Sequence, residues 1–174
     1  MNDPVTVVPR VVGAIIAVAL QIVLAPNIAL FGIVPNFIMA YALAVAVACV
    51  GQTGPVFFFV LGLLFDLLGS GPVGAMAFLL LAAATLAQRA FLLLDNDTLF
   101  IPLFLVIAST LAVEVVYALF MLAFGGAVSL FDALLLRALP CTLYSGLIGV
   151  ALYPICVRFL GQPIQQQPGT PHLR

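Results

Sequence analysis

The stretch Val56-Phe57-Phe58-Phe59-Val60-Leu61-Gly62-Leu63-Leu64-Phe65-Asp66-Leu67-Leu68-Gly69-Ser70-Gly71-Pro72-Val73-Gly74 decides how this chain folds. It is an apolar run with a single acid near its end, then the turn formers Gly69, Ser70, Gly71 and Pro72; a second apolar run continues to Leu86 or beyond. Two apolar helices joined by so short a turn lie antiparallel. The first is Val56 to Leu68, and Pro72 suits the first turn of the next, where a missing N–H costs little. The start of that second helix offers unpaired N–H groups and a partial positive charge. Asp66 is therefore expected to hold the turn by accepting backbone N–H bonds around Ser70 to Gly74.

Working outward, the rest of the chain has the same composition. Of 174 residues 66% are hydrophobic and 6% charged, with mean hydropathy +1.35; soluble domains are roughly 45–50% apolar and about 25% charged. Lipid must be the principal solvent, and a water-soluble globular protein is excluded. Five basic residues, all Arg, face six acidic ones, which leaves neither a basic nucleic-acid footprint nor a polybasic lipid-binding arm.

A bilayer core takes roughly 20 apolar residues per helix, and the 10–160 region accommodates six. The expected fold class is all-α, a polytopic membrane protein of about six transmembrane helices. The first span runs from Val11 to Leu24 and continues from Ile28 to Val34 after a break at Pro26-Asn27, which reads as a half-membrane or re-entrant turn. The second is Phe37 to Val50, stopped by Gly51-Gln52-Thr53-Gly54-Pro55. The hairpin just described supplies the third and fourth. Asp95-Asn96-Asp97-Thr98 is a loop before a fifth, Leu99 to Phe124, with Pro102 in its first turn. Gly125-Gly126 ends it, and Ser129 with Asp132 resembles a capping box. A helix from Leu130 to Leu160 would be about 45 Å long, too much for a core of about 30 Å. Pro140 is expected to divide it into a short interfacial helix, Leu130 to Leu139, and a sixth span, Cys141 to Leu160. Residues 1–160 form one transmembrane domain, and the Gln- and Pro-rich tail 161–174 is expected to be polar and disordered.

With the N-terminus inside, six spans put Arg10, Arg89, Arg158 and Arg174 on the cytoplasmic side and Arg137 outside, which obeys the positive-inside rule. Both termini are then cytoplasmic. The Gly69 to Gly71 turn and the Gly125 to Arg137 segment are external.

Candidate chemistry is sparse. Cys49, Cys141 and Cys156 lie in or beside apolar runs without a C-x-x-C, and the single His172 is in the tail, so no metal site is expected. Gly69, Gly71 and Gly74, with Asp95 about twenty residues on, spell the dinucleotide fingerprint. That fingerprint works between a parallel strand and a helix, and membrane-helix flanks point to a tight helix hairpin instead. No cofactor is expected, nor an enzyme. Asp66 and Glu114 are the acids inside spans. A charge at the bilayer centre costs something like 2.5–3.5 kcal/mol on insertion scales, so both should face protein or a cavity. Ala40, Ala44 and Ala48, with Ala42 and Ala46, and Gly146 with Gly149, are small-residue rows that permit close helix approach. Their default use is internal packing; the alternative is a docking face, which Ala44→Leu or Gly146→Leu would block without unfolding the protein.

Pro35-Asn36-Phe37 and the Gly62 to Gly74 segment together resemble the rod shape-determining protein MreD family. The central element is Gly62, Asp66 four residues on, the turn at Gly69, and Gly74 opening the next helix. The resemblance extends to Gln21 and Pro26 and to Leu136-Arg137-Ala138-Leu139-Pro140. It implies a non-enzymatic scaffold in the bacterial cytoplasmic (inner) membrane. Such a scaffold is a subunit of the cell-wall elongation machinery, partnered by the bitopic MreC and linked to MreB, RodA and a transpeptidase. Asp132 and Arg137, the charges placed outside, would orient the partner. The alternative is a small-molecule-binding membrane subunit of a vitamin-type transporter, whose fold such proteins resemble; Asp66, Glu114, Tyr117 and Tyr144 would have to converge on a pocket.

Overall fold

The computed structural model describes residues 4–30, 32–69, 71–94, 100–123, 135 and 138–160, with side chains from residue 7 onward. Among them are six α-helices: α1 (Pro4–Val23), α2 (Phe37–Ala48), α3 (Pro55–Leu68), α4 (Ala75–Leu93), α5 (Phe100–Ala123) and α6 (Leu139–Leu160), with a single 3-10 turn at Ala25–Ile28. Three of them, α4, α5 and α6, are long and apolar enough to cross a membrane; Val7–Val23, Phe37–Ala48 and Pro55–Leu68 are shorter apolar helices. The expected loop at 95–98, the capping box at Ser129 and Asp132, most of the interfacial helix Leu130 to Leu139, and the tail lie outside the described residues.

α2 is the hub. Every residue from Phe37 to Val47 is buried, and the helix packs against α1, α3, α4, α5 and α6. A helix apolar on all sides is stable only when enclosed, and the alanines at 40, 42, 44 and 46 let neighbours approach from several directions at once. A Cβ added at Gly149 of α6 would lie 3.8 Å from the Ala40 Cα and 2.9 Å from Val106 Cγ1 of α5, so three helices meet there. This packing corrects the docking reading of the small-residue row. Ala44 has no exposed surface, and a leucine there would be forced into the interior. Gly146 is also buried, although a Cβ there would meet nothing within 4 Å.

At about 1.5 Å per residue the 12 residues of α2 cover about 18 Å, well short of a hydrocarbon core. Non-helical backbone at membrane depth is tolerated only where protein satisfies it, and the start of α2 meets that condition. The apolar run Ile28 to Val34, expected to continue the first span, instead folds into a tight turn in which Leu30 and Ile33 exchange N–H···O bonds of 3.1 and 2.9 Å. Pro26, placed in the 3-10 turn that follows α1, sets the direction of that return.

Two helix starts differ from the sequence expectation. α4 begins at Ala75, with Pro72 outside it, because Gly74 takes the left-handed conformation (φ +99°) as its N-cap. α6 begins at Leu139 with Pro140 inside its first turn, where proline is favoured. The Thr142 hydroxyl donates back to Ala138 O at 2.7 Å; the expected break between this helix and an interfacial helix before it falls on residues outside the described ones.

Candidate functional site: the Asp66 hairpin and the two polar ends

α3 and α4 pack more extensively than any other helix pair, and the reason lies in two residues one turn apart on α3. At Gly62 a Cβ would come within 2.5 Å of the Ala77 Cα and the Met76 carbonyl oxygen. Only hydrogen fits between these backbones. Four residues on, on the same face, Asp66 is 1% exposed and spends its carboxylate on the start of α4. Oδ2 accepts from Gly74 N at 2.9 Å and Ala77 N at 3.1 Å, and Oδ1 accepts from Met76 N at 3.2 Å. The donors lie at Gly74 and within the first turn of the next helix. The bonds are charge-assisted and complement the positive end of the helix dipole. Close approach at Gly62 is what brings the carboxylate within reach.

Gly69 and Gly74 have unequal roles. Gly69 caps α3 in an extended conformation any residue adopts, and its N–H donates to Phe65 O at 3.1 Å; only Gly74 needs glycine for its φ. Gly74→Ala is expected to cost about 1 kcal/mol or more through the left-handed penalty, and Gly69→Ala close to nothing. Thermal unfolding of the two variants in the same detergent checks the contrast. The turn is covered by α5: a Cβ at Gly71 would collide with the Tyr117 hydroxyl, and the Tyr117 and Phe65 rings meet edge-on at 6.4 Å.

A second polar knot sits at the start of α2. Asn36 Oδ1 accepts from Met39 N at 2.9 Å, Gln21 Oε1 of α1 accepts from Phe37 N at 2.7 Å, and Asn36 N donates to Ser145 Oγ of α6 at 2.9 Å. Gln21 Nε2 donates to Pro35 O, and the Tyr144 hydroxyl donates to Ile28 O at 2.9 Å. Gln21 and Asn36 stand out in the sequence as polar residues in apolar surroundings. Ser145 as the partner of Asn36 across more than a hundred residues does not.

The opposite end carries the arginines. Arg10, 3% exposed, donates from Nη1 to Gln52 O at 2.5 Å and from Nη2 to Gln52 Oε1 at 2.6 Å, while its Nε has no partner. Its carbonyl accepts from the Tyr41 hydroxyl at 2.8 Å. Gln88 of α4, beside the exposed Arg89, donates to Thr53 O at 3.2 Å. These bonds bring Arg10 and the Arg89 end of α4 to the α2–α3 loop, and Arg158 lies in the last turn of α6.

Glu114 lies half-buried on α5, one turn before Tyr117. Asp132 and Arg137 lie outside the described residues. Cys49 and Cys156 are buried, Cys141 is half-buried, and none is in a disulfide. The fingerprint glycines sit between two helices, and the amides of Gly74, Met76 and Ala77 are already taken by Asp66, which leaves them unavailable to a pyrophosphate. None of Asp66, Glu114, Tyr117 and Tyr144 lines either of the described grooves beside α1. The two grooves flanking α1 are lined by apolar side chains apart from Tyr41 and Cys156.

An enclosed hub helix, polar bonds gathered at the two ends and apolar outer faces define a multi-pass helical membrane protein without a described catalytic constellation. The family model described as rod shape-determining protein MreD matches residues 6–162, and the chain belongs to that family. The family is a structural component of shape determination, and membership gives the chain a role in the cell-shape machinery. No curated protein and no solved structure matches the chain.

Proposed function

We propose that the chain is a non-enzymatic inner-membrane scaffold of the cell-wall elongation machinery. It binds a single-span MreC-like partner and through it is linked to MreB, RodA and a transpeptidase. The family match carries this reading. The structure supports it in one respect: Asp66 is consumed in holding two helices together, and the outer faces offer mainly apolar side chains such as Leu143 and Leu147 of α6. A protein so built acts by presenting helix faces and rims. In this reading the six helices are six spans, both termini are cytoplasmic with the arginine end, and the segment Leu130 to Pro140, with Asp132 and Arg137, meets the partner's juxtamembrane part.

Two experiments test it. In a cysteine-free background, single cysteines at Val73 and Gln166 are treated with an impermeant thiol reagent on intact cells. Labelling is expected at Val73 and not at Gln166, and the reverse pattern would invert the topology. Co-purification in mild detergent is expected to recover an MreC-like protein. Leu147→Trp on the outer face and, separately, Asp132→Arg should lower that recovery several-fold while the variants elute as folded protein. If no cell-wall protein is recovered and a small ligand instead raises thermal stability with concentration, the transporter-subunit reading replaces this one.

A further inference from the structure

α1 is held mainly against α2, and between α1 and α6 it leaves a groove of about 550 Å³ lined by Val12, Ile16 and Leu20 on one wall, Leu152, Ile155 and Phe159 on the other, and Tyr41 at its floor. Its lining on α1 extends from Val8 to Leu20, about 18 Å at ~1.5 Å per residue. That is a little over half of a hydrocarbon core of about 30 Å, the depth of one leaflet. That length is too short to seat a spanning helix of about 30 Å along its full extent, and the lining is apolar apart from Tyr41 and Cys156. The groove suits an extended hydrocarbon chain.

The end of this groove is positively charged. Arg158 lies with its guanidinium carbon 5.9 Å from the centre of the Phe159 ring, which lines the groove. Arg10 follows Pro9 on the other wall and is buried with an unpartnered Nε. Among the described residues this end carries Arg10, Arg89 and Arg158 and no carboxylate: Asp66 is at the opposite end, and Glu114 is one turn from Tyr117, which touches the hairpin. Arg10 does not itself line the groove and both its Nη atoms are on Gln52; the exposed Arg158 is the cation at the groove's end, and arginine is suited to phosphate.

We propose that the α1–α6 groove is a binding site for an anionic phospholipid of the arginine-side leaflet, its acyl chain lying between the two helices and its phosphate held at Arg158 in the field of Arg10. This inference is independent of the partner reading above, and its test reads lipid alone. The full chain is purified from membranes in mild detergent, and retained lipid is counted by native mass spectrometry after exchange into phosphatidylglycerol or phosphatidylcholine micelles. Phosphatidylglycerol should be retained at least fivefold over phosphatidylcholine, and Arg158→Gln, an exposed position, should reduce retention about fivefold, the factor for one surface arginine. Val12→Trp, which fills the groove from a side chain 48% exposed, should abolish retention while the variant still melts cooperatively in lipid-free detergent; Ile155→Trp on the facing wall is the second such variant. Glycerol phosphate alone should not stabilise the protein, because it lacks the chain that occupies the groove. Equal retention of the two lipids, undiminished phosphatidylglycerol in both groove-filled variants, or photocrosslinking from Ile155 to another protein instead of lipid would overturn the proposal.

Discussion

Asp66→Leu is expected to abolish accumulation of the folded protein. The substitution leaves the N–H groups of Gly74, Met76 and Ala77 without their acceptor, Met76 and Ala77 buried and Gly74 half-buried. Orphaning a buried donor costs about 1–3 kcal/mol, and more where the lost bond was to a charged group; with two buried donors affected, the loss approaches the several kcal/mol that hold a domain folded. Asp66→Asn should be intermediate. Its one acceptor oxygen can serve Gly74 and Ala77 while its amide nitrogen faces the N–H of Met76, so two bonds survive and one contact becomes donor against donor. Fluorescence-detected size exclusion of tagged variants, with melting temperature as the second readout, should rank wild type above Asn and Asn above Leu. Equal loss in Asn and Leu with recovery in Asp66→Glu would mean that charge, not acceptor geometry, is required.

The second large effect falls on close packing. Gly62→Ala is expected to destabilise by about 1–3 kcal/mol, the usual range for overpacking, because its new Cβ would meet the Ala77 Cα and the Met76 carbonyl at 2.5 Å, and backbone cannot turn aside as a flexible side chain can. Gly62→Val should prevent α3 and α4 from closing and so also withdraw Asp66 from its donors. Ala44→Leu, in the hub helix, should be similarly damaging. The coupling is testable as a double-mutant cycle: once Gly62→Val has separated the helices, adding Asp66→Asn should cost little more, whereas two independent defects would add.

The hairpin was legible because its signal is local. An acid in an apolar run, turn formers within a few residues and a helix start beyond them leave Asp66 few partners, and the acceptor role follows from the unpaired amides of that start. Finding the donors one turn further on required knowing that α4 begins at Ala75 behind Gly74 as its N-cap, and not at Pro72, a difference set by a left-handed glycine that a proline-based rule does not register. The hub position of α2 was not legible. Its alanine row favours internal packing by default but also fits a face for a partner, and the burial of Phe37 to Val47 on all sides decides for the interior. The α1–α2–α6 knot was half visible, since Gln21 and Asn36 are conspicuous polar residues, but nothing in the sequence pairs Asn36 with Ser145. Arg10 was read for its sign in a topology count; its burial against Gln52 is a tertiary fact with no local sequence mark.

The most direct measurement is depletion of this protein in its own host, with cell width and shape followed by microscopy as the protein disappears. Cells are expected to widen and round. Wild type and Gly69→Ala should restore rods, and Asp66→Leu should not, in step with its failure to accumulate. Rods of unchanged width after complete depletion would contradict the assignment to the cell-shape machinery.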